Sequence, residues 1–147
     1  MKTKIYLLGL IAIAFVSCKK EQHIVVTNQD YNASIENIID IMIHDIFSPP
    51  VASRIYAYPN IAAYEVLNAE NGKYQSLTNQ LNGLKTIENL PKNQEINKPL
   101  AALIAYLDVA KELVFSKEEL IAVKDSLNIH WKSINKKEFL AAVKYGL

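Results

Sequence analysis

The chain carries, from His44 to Ala69, the stretch HDIFSPPVASRIYAYPNIAAYEVLNA, which holds the end of one helix and the start of the next. Pro49 pushes Ser48 toward an extended conformation, and Pro50 has no amide proton for an intrahelical hydrogen bond. A first helix must therefore end before the prolines, and Pro50 suits the first turn of a second helix. The stretch predicts two helices joined by a short turn.

The apolar residues on both sides of this joint have helical spacing. Before it, residues 31–47 predict a helix with one apolar face, and after it residues 51–69 are apolar nearly all round, a pattern typical of a buried helix. Pro59 is expected to kink or break this second helix. Further helices are predicted at 99–114, at 117–132 and from 136 onward, with capping-box spacing at Ser116 and Asn135.

Residues 71–99 read as a long irregular connection, with one helical turn predicted between residues 74 and 81. We find no convincing strand. The predicted fold class is therefore all-α, a portion of a helical bundle. The last helix has an apolar side, and we expect that side to be left uncovered, which favours a chain that forms part of a larger all-α domain. A frayed but genuine C-terminus is the alternative.

Two charges stand out in the second helix. Arg54 is the single arginine among 16 basic residues, and Glu65 lies eleven positions later. At 1.5 Å per residue the two are about 16 Å apart, so they cannot pair within one straight helix. A buried charge needs a partner, so each is expected to find one on another element. Asp45 or backbone carbonyls are the partners expected for Arg54. We treat Asp45, Arg54 and Glu65 as structural candidates.

The first 17 residues read as a signal peptide, with two lysines before an apolar run too short to cross a membrane. Cys18, the only cysteine, follows Ser17 directly and is the expected lipidation site of an exported lipoprotein. An ordinary signal peptide with an incidental cysteine, or an uncleaved anchor helix, are the alternatives. On this interpretation residues 18–29 form a tether, residues 30–147 form the helical part, and the protein is lipid-anchored to the bacterial cell envelope, at the periplasmic face or outer membrane.

Charge excludes one class of partner. Removing residues 1–17 takes away Lys2 and Lys4 and leaves 14 basic against 15 acidic residues. Such a balance gives no reason to expect nucleic acid as a partner. The membrane, reached through the lipid anchor, is the partner that the sequence favours.

The sequence offers no local catalytic or metal-binding motif. His23, His44 and His130 form no ligand pair with each other or with a nearby carboxylate at the usual spacing, although Asp40 could pair with His44 along a helix. No glycine-rich phosphate loop and no Gly-x-Ser-x-Gly turn occur. We therefore assign no catalytic, cofactor-binding or metal-binding residue to this chain.

The order Pro49-Pro50-x-Ala52-Ser53-Arg54, followed by Ala57, Ala63-Tyr64-Glu65 and Asn68-Ala69, resembles the N-terminal helical part of bacterial vanadium-dependent haloperoxidases. These enzymes belong to the type 2 phosphatidic-acid phosphatase superfamily. The resemblance covers residues 35–69 with good specificity and the later helices only in character. It implies that the early helices are scaffold for an oxyanion site built by later helices.

The resemblance also implies a catalytic set that can be checked. Such enzymes hold vanadate or phosphate with a lysine, two arginines, a Ser-Gly-His segment and a second histidine, because several cationic and amide donors must surround the oxyanion. A chain with one arginine cannot supply this set. Ser53-Arg54 matches the start of a family motif, but Tyr58, Asn60 and Tyr64 stand where Gly, His and Asp are required.

Two hypotheses follow. In the first, the chain is the N-terminal scaffold of a longer lipoprotein whose downstream helices are its partner, with vanadate possible as cofactor only in the full-length protein. Whether such a protein would be a haloperoxidase or a phosphatase stays open, as does whether this chain counts as an enzyme. In the second, the chain is a complete small helical lipoprotein that acts as a binding or scaffolding module.

Overall fold

The computed structural model describes residues 21–69, 74–85 and 95–147. Within these residues the chain is helical and contains no strand, which confirms the predicted all-α class. The signal peptide and Cys18 lie outside the described residues. The helices are α1 (Asn28–His44), α2 (Pro49–Asn68), α3 (Lys98–Leu113), α4 (Lys117–Ile134) and α5 (Lys136–Gly146).

The core is built around α3. Every residue from Leu100 to Leu107 is buried, as is Ala110, because the other four helices surround this one. The most extensive contact is between α2 and α3. The sequence predicts that α2 is buried nearly all round, but Tyr56 and Tyr58 on that helix are exposed. An apolar sequence predicts that a helix is largely buried, but it does not indicate which helix lies at the centre of the fold.

The last helix packs tightly on α3. Phe139 and Ala142 are buried in the common core. A side chain at Gly146 would place its Cβ 2.5 Å from the carbonyl oxygen of Ala101, so only glycine permits this close approach of the two backbones. The apolar side of the last helix is therefore covered only in part, because Phe139 packs in the core whereas Leu140 is 49% and Leu147 76% exposed.

The first helix begins three residues before its predicted start and ends three residues before its predicted end. Thr27 and Asp30 form a capping box in which the Thr27 N–H donates to the Asp30 carboxylate at 2.7 Å and the Asp30 N–H donates to the Thr27 hydroxyl at 3.3 Å. At the other end α1 stops at His44, and residues 45–48 form the turn before the prolines. The boundary is set by this turn as well as by Pro49.

The second helix runs through Pro59 without a break from Pro49 to Asn68. After it, the described part of the long connection, residues 74–85, contains the predicted turn. There the N–H groups of Gln80 and Leu81 donate to the carbonyl of Leu77 at 2.9 and 3.0 Å. This turn lies against the end of α2, where it contacts Glu65.

Residues 21–27 pack against the helices and are not a free tether. Ile24 is 3% exposed and belongs to the hydrophobic core, and Asn28 and Gln29 already lie in α1. The predicted tether boundary at residue 29 is therefore wrong for the residues that the structure describes. In residues 21–69, 74–85 and 95–147, no helix has the length and apolar character needed to cross a membrane.

Candidate functional site

Arg54 lies in the second turn of α2, where its side chain is exposed to solvent. It makes no hydrogen bond or ion pair with any residue in the described part of the chain. The expectation of a buried guanidinium bound to Asp45 is therefore wrong in this structure. The physical reason is the register of α2: Ile55, Pro59 and Ala63 face the core, and Arg54 points away from that face.

Asp45 joins the end of α1 to the start of α4. One carboxylate oxygen accepts the N–H groups of Phe115 and Ser116 at 2.8 and 3.1 Å, and the other accepts the Ser116 hydroxyl. The side chain is 4% exposed. The predicted capping box at Ser116 is therefore not formed, since its hydroxyl is used by Asp45. We call these three residues the Asp45 joint.

The environment of Asp45 favours its ionised form. The Ser116 hydroxyl, as the largest contribution, holds the pKa of Asp45 below its ordinary value, while burial opposes this shift and the two backbone N–H groups reinforce it. His44 lies beside the joint, with its Nδ1 3.2 Å from the Ser116 hydroxyl and 3.5 Å from Asp45. The histidine therefore faces Asp45 and Ser116 rather than Asp40, the partner that its spacing suggested.

The residue after Asp45 is held in a strained conformation. Ile46 has φ 55°, the left-handed region that β-branched side chains rarely adopt, and it is 88% exposed. Next to it, Phe47 packs against Phe115 with ring centroids 4.7 Å apart. Phe115 is itself 76% exposed. The Asp45 joint therefore combines a satisfied carboxylate, a strained turn and uncovered apolar side chains.

Glu65 is buried at the other end of α2. Its two carboxylate oxygens accept the Ser76 hydroxyl and the Leu77 N–H, each at 2.7 Å. The partners lie on another element, as expected, but they are a hydroxyl and an amide instead of a cation. Glu65 thus fixes the described loop to α2, which is a positioning role.

Of the three positions where the family motif would require Gly, His and Asp, Asn60 and Tyr64 form hydrogen bonds to other elements. The Asn60 amide donates to the Tyr56 carbonyl at 2.7 Å, and its oxygen accepts the Tyr31 hydroxyl at 3.0 Å. The Tyr64 hydroxyl donates to the Gln75 carbonyl at 2.9 Å. Tyr58 is about half exposed. These side chains hold α1 and the loop against α2 and form no acid–base pair.

The structure also shows a polar network that the sequence did not reveal. The N–H of Ile24 donates to Glu138 at 3.1 Å, and the amide of Asn97 donates to both the Ile24 carbonyl and Glu138 at 2.7 Å. The Asn135 amide donates to the Gln22 carbonyl at 3.1 Å. We call this set the N-terminal latch, because it fixes residues 22–24 against the starts of α3 and α5.

The latch lies in a cavity of about 750 Å³. His23, 77% exposed, is 3.6 Å from Glu138 in its wall. The predicted capping box at Asn135 is half formed: its side chain accepts the Glu138 N–H at 3.1 Å, but the Glu138 carboxylate belongs to the latch. Other lining residues are Glu21, Glu95, Ile96, Lys137, Leu140, Ala141 and Lys144.

The donors that an oxyanion such as vanadate requires do not converge in the described residues. Arg54 is exposed and does not line the latch cavity, and no group of three or more His, Cys, Asp or Glu side chains in the described ranges could hold a metal ion. The cavity walls mix lysines with glutamates. The described residues therefore do not assemble the donor set that vanadate requires.

These features define an all-α helical region whose described polar clusters join one element to another. In a comparison with solved structures, the chain is similar to the crystal structure of the first bacterial vanadium-dependent iodoperoxidase, at 46% sequence identity and a TM-score of 0.81. The match covers 86% of this chain and 31% of the iodoperoxidase, so the chain spans about a third of that protein's length. The described helices are thus a haloperoxidase-like helical region, as the Pro49–Arg54 motif predicted.

The other two comparisons gave no further relatives: no protein-family model matches the sequence, and no curated protein matches it.

Proposed function

We propose that this chain is the N-terminal scaffold segment of an exported lipoprotein related to vanadium-dependent haloperoxidases and acid phosphatases, and that it is inactive alone. The observation that carries this proposal is the 46% identity to an iodoperoxidase of which the chain spans 31%. A single, exposed arginine agrees with it, because a cationic oxyanion cage needs several converging donors.

The exposed apolar residues near the Asp45 joint support the scaffold role. Ile43, Ile46 and Phe115 are each at least 70% exposed and lie at the end of α1 and beside the start of α4. Large exposed apolar groups of this kind are typical of a surface that packs against further protein. In a longer protein, the helices that carry the catalytic residues would supply that contact and hold vanadate or phosphate.

The lipoprotein part of the proposal depends on Cys18. Its position after an apolar segment and Ser17 is that of a lipid-modified N-terminal cysteine. Lipidation would anchor the chain to the cell envelope. Mass measurement of the protein purified from bacterial membranes tests this directly, with a diacylglyceryl adduct on Cys18 expected and a free thiol contradicting it.

The scaffold role is tested first by the coding DNA. A reading frame that continues past the codon for Leu147 and encodes two arginines and a Ser-Gly-His segment is expected. A natural stop codon at that point would overturn the proposal. In parallel, the 147-residue chain with vanadate, peroxide and iodide should oxidise no iodide, and with a phosphoester should release no phosphate. Activity in either assay would contradict the inactive-scaffold role.

One observation favours the alternative of a complete small lipoprotein that acts as a binding module. The core around α3 is closed, and Trp131 on α4 is only 2% exposed. A cooperative thermal melt with little binding of an apolar dye would favour this alternative. Weakly cooperative unfolding with strong dye binding would favour the scaffold segment.

A further inference from the structure

The outer face of α2 differs in composition from an ordinary solvent-exposed helix surface. Over the 20 residues of this helix the only charged side chains are Arg54 and the buried Glu65. The exposed side chains around Arg54 are apolar, aromatic or small; they are Pro49, Pro50, Val51, Ser53, Tyr56 and Tyr58. Helix α4, in contrast, exposes charges of both signs, on Glu118, Glu119, Asp125 and Lys132. A surface with Tyr and Arg but without Lys, Asp or Glu has the composition typical of the core of a protein–protein interface.

Arg54 has no carboxylate within reach on its own helix. Residues three and four positions apart are neighbours on a helix surface. At these positions around Arg54, α2 carries Pro50, Val51, Ala57 and Tyr58. Glu65 lies about 16 Å further along the axis and already binds Ser76 and Leu77. The planar donor fork of the guanidinium, which matches a carboxylate, is therefore left unused in the described part of the chain.

A second copy of the same face would not supply the missing acid. In a two-fold symmetric contact the same patch meets itself, so each Arg54 would face the α2 helix of the other copy. That helix exposes no carboxylate, and the two guanidiniums would approach each other. The charge pattern therefore favours a different surface, one that carries an Asp or Glu side chain.

We propose that the outer face of α2 is covered by the remaining part of a longer haloperoxidase-like protein, where a carboxylate binds Arg54 and apolar side chains pack on Val51 and Tyr58. The size of the relative supports this occupant: the chain is 46% identical to an iodoperoxidase of which it spans 31%, so most of that protein has no counterpart here. A bidentate arginine–carboxylate pair would fix the geometry of the contact. This proposal rests on the proposed scaffold role.

Thiol alkylation of the full-length protein tests the proposal. A cysteine is introduced through Val51→Cys, and Cys18→Ser removes the thiol of this chain. Reaction with a small maleimide is followed by mass spectrometry of the peptide that contains residue 51. The rate in the native protein should be at least about tenfold lower than the rate in urea, because a covered site reacts only when the structure opens locally. A side chain as exposed as Val51 is in this structure would react at similar rates in both.

Charge reversal tests the role of Arg54. Arg54→Glu places a like charge against the expected carboxylate and should raise the native alkylation rate at residue 51 at least about tenfold. Arg54→Lys keeps the charge without the fork and should raise it by less. Lys132→Glu, at an exposed lysine of α4, is the control and should leave the rate unchanged. Rates in both Arg54 variants no higher than in the control would overturn the pairing, and Arg54→Lys alone decides if Arg54→Glu is not folded by circular dichroism.

The possible failures can be told apart. A native rate equal to the rate in urea, in a folded full-length protein, would overturn this proposal and leave the scaffold role intact. Protection of residue 51 that appears only as the protein concentration rises, with the mass of a dimer in light scattering, would assign the face to a second copy and overturn the proposal as well. A reading frame that stops after Leu147 would overturn the scaffold role, and this proposal with it.

Discussion

The Asp45 joint and the N-terminal latch each hold two segments of the chain together, and they lie at opposite ends of α3. These ends are about 24 Å apart along a 16-residue helix. In each, one carboxylate accepts hydrogen bonds from a segment distant in sequence: Asp45 accepts two backbone N–H groups, and Glu138 accepts the Ile24 N–H and the Asn97 amide. The latch surrounds the buried Ile24, whereas the joint is bordered by the strained, exposed Ile46 and the exposed Phe115. The difference shows that the latch buries the apolar side chain it holds, whereas the joint leaves the apolar side chains of Ile46 and Phe115 exposed.

The largest expected effect comes from opening the latch. Glu138→Ala removes the acceptor of the Ile24 N–H and of the Asn97 amide and leaves both donors partly buried. We expect the free energy of unfolding to fall by about 2 kcal/mol. Urea denaturation measures this, with Glu118→Ala, an exposed glutamate of α4, as the control. A loss no greater than that of the control would mean that the latch does not hold residues 22–24.

A smaller and pH-dependent effect is expected at the joint. Asp45→Asn keeps one acceptor but removes the charge that the Ser116 hydroxyl stabilises. Because the pKa of Asp45 is lower in the folded state than its ordinary value of about 4, its stabilising contribution is fully present above that value. The contribution is lost as the pH falls through the lower, folded pKa.

Urea titrations between pH 7 and pH 2 test this prediction. The stability difference between wild type and Asp45→Asn should be constant from pH 7 to about pH 5 and should shrink below about pH 4. The same measurement on Asp40→Asn, an exposed residue of α1, provides the control. A difference that grows on acidification would contradict the depressed pKa.

The smallest expected effect is a gain in stability. Ile46→Gly removes a β-branched side chain from a left-handed conformation and sacrifices little burial, because the side chain is already exposed. The free energy of unfolding should rise by about 0.5–1 kcal/mol. Ile43→Gly, at an exposed position inside α1, should instead lower it by a similar amount. Thermal melts of the two variants test this prediction. A loss of stability in both Ile46→Gly and Ile43→Gly would argue against strain at Ile46.

The helices could be predicted from the sequence because their signals are local. Apolar spacing and Pro49 located the first two helices, and the resemblance carried by Pro49–Arg54 agrees with the structural comparison. The burial of Arg54 was wrongly predicted, since an apolar run does not specify which of its faces meets the core. The central position of α3 was not predicted for the same reason: an apolar pattern does not say which helix the others surround.

The latch could not be predicted from the sequence, because the residues that form it also match a local capping motif. Asn135 and Glu138 are three residues apart, the spacing of a capping box, yet Glu138 uses its carboxylate for residues 24 and 97. Asp45 and Ser116 likewise find each other across 71 positions. Where a polar residue has two possible sets of partners, the actual set can be identified only once the positions of the surrounding helices are known.

The latch also constrains the order in which the parts of the molecule can fold. The bond between Ile24 and Glu138 joins residues 114 positions apart, so the segment around Ile24 cannot complete its contacts until residue 138 has been synthesised. Contacts of such long range close slowly, because the intervening chain must first be ordered. During synthesis or passage through a membrane, Ile24 therefore stays uncovered until α5 has arrived, and that interval is when the chain is most open to aggregation or proteolysis.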